Sequence, residues 1–339
     1  MSTSAGPATA EGPYFDELTR GQRFASAPAM TLTAGAAAVH QSIVGDRLRI
    51  SLDEELSARM TDRAALLAHP ALVWNVAIGQ STTATQNVVA NLFYRGLAFQ
   101  RAPALGDTLH TVTEVVGLRQ NTARDGRPAT GMAALEIVTL DQHGRLVLAF
   151  WRCAMLPLRD PKGFTEHRDD LTEIGTVVSD DQLTAAVADW DLSAAEPVAG
   201  SPCFGDIRVG QAWSVQGGDV VSSAPELARL TLNVAAAHHD GVSRPGGRLV
   251  YGGHTIAVAL AQACRALPNL LTVTAWHGCD HTGPVREGDT LFSTIEVELV
   301  RPLRDDTGLV HLRSRVSARR TPEEAARPVL DWRYVALML

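Results

Sequence analysis

Cysteine is scarce in this chain of 339 residues: there are four, and no two of them form a CxxC pair. Because the chain also lacks an apolar signal segment, we expect a reduced, cytoplasmic protein. No apolar run approaches the roughly 20 residues that a membrane-spanning helix needs. Lysine and arginine form no block and the formal net charge is −7, which disfavours nucleic acid or an anionic membrane as a partner.

Three motifs that carry well-known chemistry are also missing. The sequence has no GxSxG, no GxxxxGK[ST] and no GxGxxG. A lipase-type triad, a P-loop and a dinucleotide fingerprint therefore lack support, and we expect no bound cofactor.

What is present is an ordinary globular composition, with 45% hydrophobic and 20% charged residues. The most informative feature is an internal repeat. The stretch "YFDELTRGQRF" (14–24) matches "CFGDIRVGQAW" (203–213), "RAPALGDTLHTVTEV" (101–115) matches "GPVREGDTLFSTIEV" (283–297), and "WRCAML" (151–156) matches "WRYVAL" (332–337). These matches keep their order at a nearly constant offset, so they predict a duplicated domain.

The repeat also sets the expected boundaries. We predict a flexible tail at 1–12, an N-terminal repeat at 13–158, a linker at 159–200 and a C-terminal repeat at 201–339. Below, the two repeats are called copy one and copy two.

Each copy ends in stretches that alternate apolar and polar residues, such as "DTLFSTIEVELV" and "GLVHLRSRVSAR", which is typical of antiparallel strands. Before them, "HTIAVALAQACRAL" (254–267) carries one apolar stripe at helical spacing. The sequence therefore predicts an α+β fold in which each copy wraps an antiparallel sheet round a central helix. The two sheets are expected to join edge to edge about a pseudo-two-fold axis.

Candidate chemistry concentrates in "HHDGVSRPGGRLVYGGHT" (238–255). His238 suits a general acid or base near neutral pH, although histidines are also favoured at helix C-termini. Gly252 and Gly253 precede the predicted helix, where free N–H groups would stabilise a developing oxyanion; the alternative is a plain tight turn. A second cluster, "WHGCDH", places His277, Cys279 and His281 at alternate positions, as zinc ligands would be. It has no fourth ligand at a recognisable spacing, so we interpret it as a strand and expect no metal.

Taken together, these residues resemble the MaoC-like (R)-specific enoyl-CoA hydratases and dehydratases of the hotdog superfamily. The run "N-x-A-x-x-H-x-D … RLVYGGH" is most similar to the double-hotdog mesaconyl-CoA hydratase-like branch. The resemblance covers almost the whole chain apart from the tail and linker. It implies a double hotdog fold, an acyl-CoA thioester as small-molecule substrate and a lyase that adds or removes water, with a short or branched acyl group favoured.

The resemblance also implies roles for single residues. The catalytic set falls on His238, Asn233 and Asp240, and the backbone oxyanion donors fall on Gly253 and His254. Asn233 stands where the general family pattern has an aspartate. In copy one, Asp46 matches that aspartate, but Ser51 stands where histidine is expected. We therefore expect a working site in copy two and a remnant in copy one, in separate clefts.

Several further residues are candidates for contacts with the substrate. The residues expected to line the acyl site are Tyr251, Gly252, Arg248 and Trp276. Arg244, Arg248 and Arg265 are candidates for the CoA phosphates, although exposed arginines are more often solvated surface.

Three functions remain open from the sequence: a hydratase or dehydratase, a thioesterase, and an acyl-CoA-binding protein without catalysis. Thioesterases of the hotdog fold usually place an acidic residue on the central helix or opposite it. The predicted central helix, 254–267, holds no Asp or Glu, which disfavours the thioesterase. Asn233 and Ser51 favour the binding protein. The active unit is expected to be a monomer of two repeats or a homodimer.

Overall fold

The computed structural model describes residues 10–122, 126–242, 246–304 and 306–339. Among them no helix is long and apolar enough to span a membrane. The helices are α1 (Ala34–Val44), α2 (Glu54–Thr61), α3 (Pro70–Ser81), α4 (Asp180–Thr184), α5 (Ala224–Leu230) and α6 (Gly252–Ala266). The strands are β1 (Arg23–Phe24), β2 (Met30–Thr31), β3 (Ala90–Phe99), β4 (Thr108–Gln120), β5 (Thr130–Leu140), β6 (Leu146–Pro157), β7 (Ala212–Ser214), β8 (Asp219–Val220), β9 (Leu270–Asp280), β10 (Thr290–Pro302), β11 (Gly308–Arg319) and β12 (Arg327–Met338).

All the strands belong to one antiparallel sheet in the order β1-β4-β5-β6-β3-β9-β12-β11-β10-β7, with β2 and β8 pairing at its ends. The two copies therefore contribute the same strand order, read outward from the centre. They meet where β3 pairs with β9, with Tyr94 opposite Cys279 and Leu97 opposite Trp276. Tyr94 and Trp276 are 182 residues apart, as are Leu97 and Cys279, so this pairing lies on a pseudo-two-fold axis. The predicted double hotdog is confirmed.

The sheet curves round two central helices, one from each copy. Helix α6 lies close to the predicted 254–267 and is buried over almost its whole length. Helix α3 is its counterpart in copy one and is buried at every position from Pro70 to Ser81. The helices touch directly, since a Cβ on Gly253 would overlap the Asn75 side chain. Glycine thus sets the closeness of the two helices.

The third sequence match, "WRCAML" with "WRYVAL", is one residue out of structural register. Tyr94 pairs with Arg152, whereas its counterpart Trp276 pairs with Tyr334. The residue equivalent to Arg152 is therefore Tyr334, at the same offset of 182 as the rest of the fold. Because side chains alternate between faces of a strand, Trp332 points into the core while Trp151 points outward. The shared "WR" letters led to the wrong alignment.

The segment between the copies covers part of the sheet and does more than join the two repeats. Leu171 and Ile174 pack on Phe93 and Cys153, on the face of the copy-one strands away from α3. Further on, a short turn around Ala186 and Val187 reaches the copy-one cleft. The linker is thus part of the packed structure.

Candidate active site

A cavity of about 330 Å³ opens between the two copies. It is lined by α3 and β3 of copy one and, from copy two, by the loop before α6 and the segment after β9. Its polar lining residues are Thr82, Asn91, Tyr94, Arg152, Asn233, His238, Tyr251, Thr255, His281 and Thr282. Both halves of one chain therefore build the wall of this cavity.

The loop that carries Asn233 is held against copy one. Gly79 of α3 approaches it so closely that a Cβ would overlap the carbonyl oxygen of Thr231. Thr82 Oγ1 accepts a hydrogen bond from the Val234 N–H at 2.9 Å. On the other side, His239 Nε2 donates to the carbonyl oxygen of Asn233 at 2.6 Å. Of the two adjacent histidines, His239 thus fixes the loop while His238 lines the cavity.

Asn233 lines the cavity, and the orientation of its side-chain amide is defined. Its Oδ1 accepts from the N–H of Ala235 at 2.9 Å, and this bond defines which end of the amide is oxygen, because a backbone N–H can only donate. Its buried Nδ2 has no partner in the described part of the chain. The amide thus keeps an unused buried donor next to the cavity that Asn233 lines.

His238 has a defined tautomer. Its Nδ1 lies 3.1 Å from the carbonyl oxygen of Leu249, which can only accept, so Nδ1 carries the proton. In the neutral ring, the lone pair that can accept a proton is therefore on Nε2. The ring is half-buried and its centroid lies 5.5 Å from that of Tyr251. A neutral imidazole in this tautomer can act as a base through Nε2.

The N-terminus of α6 reaches the cavity at Gly252, which is the first residue of the helix and lines the wall. The two residues expected to supply backbone donors, Gly253 and His254, are not among the described lining residues. His254 donates its N–H to the carbonyl oxygen of Tyr251 at 2.9 Å, and its side chain is fully buried. Gly253 is packed against Asn75 and lies behind the wall. Gly252 is therefore the residue at this helix end that borders the cavity.

His281 is a cavity residue that the sequence placed in a strand motif without assigning it a role. A Cβ on Gly252 would overlap its Nε2, so glycine lets the ring sit against the helix end. Burial, and the nearby positive charge that His238 can carry, lower the pKa of His281 to about 4. The ring is therefore neutral at physiological pH and adds no positive charge beside His238.

Other predicted contacts lie elsewhere. Trp276 is fully buried beside Trp74 and Trp332 and does not line the cavity. Arg248 pairs with Glu287 at 2.8 Å, outside the wall. Tyr251 and Gly252 do line the cavity, as expected of substrate-binding residues.

The remaining predicted positions are also away from the wall. Asp240 Oδ1 accepts from the N–H of Val242 at 2.8 Å, outside the described lining. Arg265 pairs with Asp219 at 2.7 Å. Arg244 lies outside the described residues.

Copy one contains a different arrangement. Asp46 is buried, with Oδ2 at 2.7 Å from His69 Nε2. His69 Nδ1 accepts from the Ala71 N–H, so the proton that faces Asp46 sits on Nε2. Burial opposes the charge of Asp46, but His69 and the Leu48 N–H overcome it and lower its pKa. Copy one therefore has an imidazole beside its acid, supplied from the start of α3 rather than from position 51.

The copy-one cleft is nearly filled. A space of only about 10 Å³ remains beside Ser51, bordered by Ala186 and Val187 of the linker. The two motifs thus lie in separate clefts, and only the copy-two cleft has room for a small acyl group.

No group of three His, Cys, Asp or Glu side chains suited to a metal occurs among the described residues. His277 instead pairs with His311 at 2.9 Å.

Comparisons with known proteins agree with this geometry. No family model matches the chain. The chain is 30% identical over 332 residues to the beta-methylmalyl-CoA dehydratase of Chloroflexus aurantiacus, covering 93% of this chain and 89% of the relative. It is also 30% identical over 318 residues to the mesaconyl-CoA hydratase of Cereibacter sphaeroides, covering 91% and 90%.

Two solved structures are similar over almost their full lengths. A conserved hypothetical protein of Mycobacterium tuberculosis, described as a double hotdog, is 52% identical with a TM-score of 0.89, covering 97% of this chain and 99% of the other. A Chloroflexus aurantiacus chain, named for a MaoC domain and dehydratase, is 27% identical with a TM-score of 0.84, covering 99% of each. The chain therefore belongs to the MaoC-like double-hotdog family of CoA-thioester hydratases and dehydratases.

Proposed function

We propose that the chain catalyses the reversible addition of water to a 2-enoyl-CoA thioester in the cavity between its two copies. The observation that carries this proposal is the environment of His238, whose protonated Nδ1 leaves Nε2 as the basic atom of a ring that lines the cavity. The names of the relatives add that CoA thioesters with small acyl groups are handled by this family.

His238 carries the proton in the proposed reaction. In hydration, Nε2 takes a proton from water while the water oxygen bonds to C3 of the enoyl group. The C2–C3 π electrons move towards the thioester carbonyl, and the resulting enolate takes the proton from Nε2 at C2. The described lining contains no Asp or Glu, and the proposal assigns no proton transfer to a carboxylate. His281 stays neutral and does not repel the imidazolium formed in between.

Two groups orient the reactants. The Asn233 Nδ2–H donates a hydrogen bond to one lone pair of the water oxygen. The second lone pair of that oxygen is left to attack C3. The Gly252 N–H, at the positive end of α6, donates to the thioester oxygen as it gains charge. In this scheme the Gly252 N–H takes the role expected of Gly253 and His254, and we assign no role to Asp240. The four cysteines are all free, and we propose that the enzyme works in a reducing compartment.

A direct test uses crotonyl-CoA and mesaconyl-CoA with the full chain. Loss of the conjugated enoyl absorbance without release of free CoA supports hydration. Release of free thiol would point to a thioesterase, and binding without either change would point to a non-catalytic protein. The last two results would overturn the proposed reaction.

A further inference from the structure

The turn between α3 and β3, residues 82–89, lies against the loop of the assigned base and is called the α3–β3 turn below. The Ala236 N–H donates to the carbonyl oxygen of Gln86 at 3.0 Å. Ala236 begins the single helical turn that ends at His238. The α3–β3 turn also lines the cavity, at Val89. The backbone of Gln86 therefore fixes the beginning of the segment that carries His238.

The α3–β3 turn also contacts the N-terminal segment. Asn87 Nδ2 donates to the carbonyl oxygen of Gly12 at 2.9 Å. A Cβ on Gly12 would overlap the Cβ of Gln86, so glycine allows the segment to lie directly against the turn. The segment is held at a second point, where Glu11 pairs with Arg159, just after β6, at 2.7 Å. Asn87 therefore ties the α3–β3 turn to a segment that is anchored elsewhere in copy one.

Arg152 of β6 holds the beginning of the same turn. Its buried guanidinium donates from Nη2 to the carbonyl oxygen of Ser81 at 3.1 Å and to Thr85 Oγ1 at 2.6 Å. Asn87 holds the part that follows Thr85 and contains Gln86. Contacts on both sides of Gln86 thus set its position.

Copy two contains the equivalent asparagine at an offset of 182. Asn269 Nδ2 donates to the carbonyl oxygen of Pro202 at 3.0 Å, and its Oδ1 accepts from the Val198 N–H at 2.8 Å. Asn269 is fully buried, and the chain that follows it borders the nearly filled copy-one cleft at Thr272. The two asparagines thus tie equivalent turns, but the turn of Asn87 contacts the loop of the assigned base.

We propose that Asn87 is a positioning residue, which keeps His238 in place for proton transfer by holding the α3–β3 turn. This inference rests on the proposed function and concerns the geometry of its base. Proton transfer requires close placement of the reacting atoms, and a displacement of about 1 Å can lower a rate about a hundredfold. Without the contact between Asn87 and Gly12, the turn and Ala236 can shift together. Binding of the thioester should change less, because many other residues build the cavity wall.

Kinetics and binding together test this role. Asn87→Ala should lower kcat for hydration of crotonyl-CoA by about tenfold or more, while the Kd for unreactive butyryl-CoA stays within about threefold. Asn269→Ala is the matched control and should retain kcat. Because Asn269 is the more buried of the two, its variant should unfold at the same or a lower urea concentration than Asn87→Ala. Gly12→Val, which forces the segment away from Gln86, should reproduce the loss of kcat in Asn87→Ala.

Hydrogen exchange follows the loop without requiring turnover. The backbone amides of residues 236–239 should exchange faster in Asn87→Ala and Gly12→Val than in the wild type or Asn269→Ala. This readout separates movement of the loop from a general loss of stability, since the control variant loses stability without releasing the loop.

An unchanged kcat in Asn87→Ala, or an equal loss in Asn269→Ala, would overturn the proposal. Faster exchange of residues 236–239 without a loss of kcat would also overturn it. If Asn87→Ala fails to fold, Gly12→Val replaces it with the same expected results. A wild type that hydrates no enoyl-CoA would reject the proposed reaction; faster exchange confined to Asn87→Ala and Gly12→Val would then retain the positioning of the loop, and unchanged exchange would reject both.

Discussion

The two clefts of this molecule occupy equivalent places in one pseudo-symmetric fold, yet only one is open. Lining positions correspond at an offset of 182: Gly252 with Pro70, and His281 with Phe99. In copy one, Pro70 and Phe99 are larger than Gly252 and His281 and fill more of the cleft. Val187 of the linker fills part of the remaining space. The volumes of about 330 Å³ and about 10 Å³ follow from these differences. One copy thus has an open cleft, whereas the equivalent cleft of the other copy is almost filled by packed side chains.

The largest expected effect separates the two clefts by activity. His238→Ala should lower kcat/KM for enoyl-CoA hydration by about a hundredfold or more, because it removes the only base we assign. Ser51→Ala, at the equivalent position of copy one, should leave kcat/KM within about twofold. Thermal unfolding of both variants checks that the fold is retained. Equal losses in the two variants would contradict the assignment of the working cleft.

A second comparison concerns stability. Asp46→Ala should lower the free energy of unfolding by about 3 kcal/mol, because it leaves the buried His69 without its acceptor. Urea denaturation measures this change. Activity at a temperature where the variant remains folded should fall far less than in His238→Ala. A stable variant without activity would show that copy one takes part in the chemistry.

The loss of folding stability at low pH should also arise in copy one, whose cleft is nearly filled. Burial and the nearby His69 lower the pKa of His40 to about 3, so the folded state binds fewer protons there than the unfolded state. The stabilisation is therefore present above the ordinary histidine pKa of about 6.5 and is lost as the pH falls towards 3.

Between pH 7 and pH 5 His40 should account for about 2 kcal/mol of lost stability. His40→Leu should remove that part of the loss, as measured by urea denaturation at both pH values. An unchanged pH dependence would show that His40 does not resist protonation in the folded state.

The smallest expected effect concerns the linker. Val187→Ala should enlarge the copy-one space and lower stability by about 1 kcal/mol, through lost apolar burial and an added cavity. Hydration activity should not change, since Val187 is absent from the wall of the working cleft. Differential scanning calorimetry and steady-state kinetics give the two values. A gain of activity would mean that the linker hides a second site.

The sequence predicted those features that repeat along the chain or form a continuous pattern. Alternating residues located strands such as β10, and the apolar stripe located α6. Helix α3 left no such stripe because every one of its residues is buried, so its apolar positions have no favoured side.

Contacts between distant residues were harder to predict. His69 reaches Asp46 only through the packing of α3, and no spacing in the sequence reports that. Arg152 offered one signal, a charge among the apolar residues of β6, but the shared "WR" letters aligned it with the exposed Arg333. The family resemblance located the loop that carries His238 and Asn233. The tautomer of His238 and the amide orientation of Asn233 could not be predicted, because they depend on hydrogen bonds that only the folded chain makes.

The most direct test of the account is a crystal structure of the full chain with bound butyryl-CoA. We predict that the acyl group lies in the cavity between the copies, with the thioester oxygen within hydrogen-bond distance of the Gly252 N–H and C3 facing His238 Nε2. An acyl group seated beside Ser51 and His69, or one whose thioester lies away from His238, would contradict it.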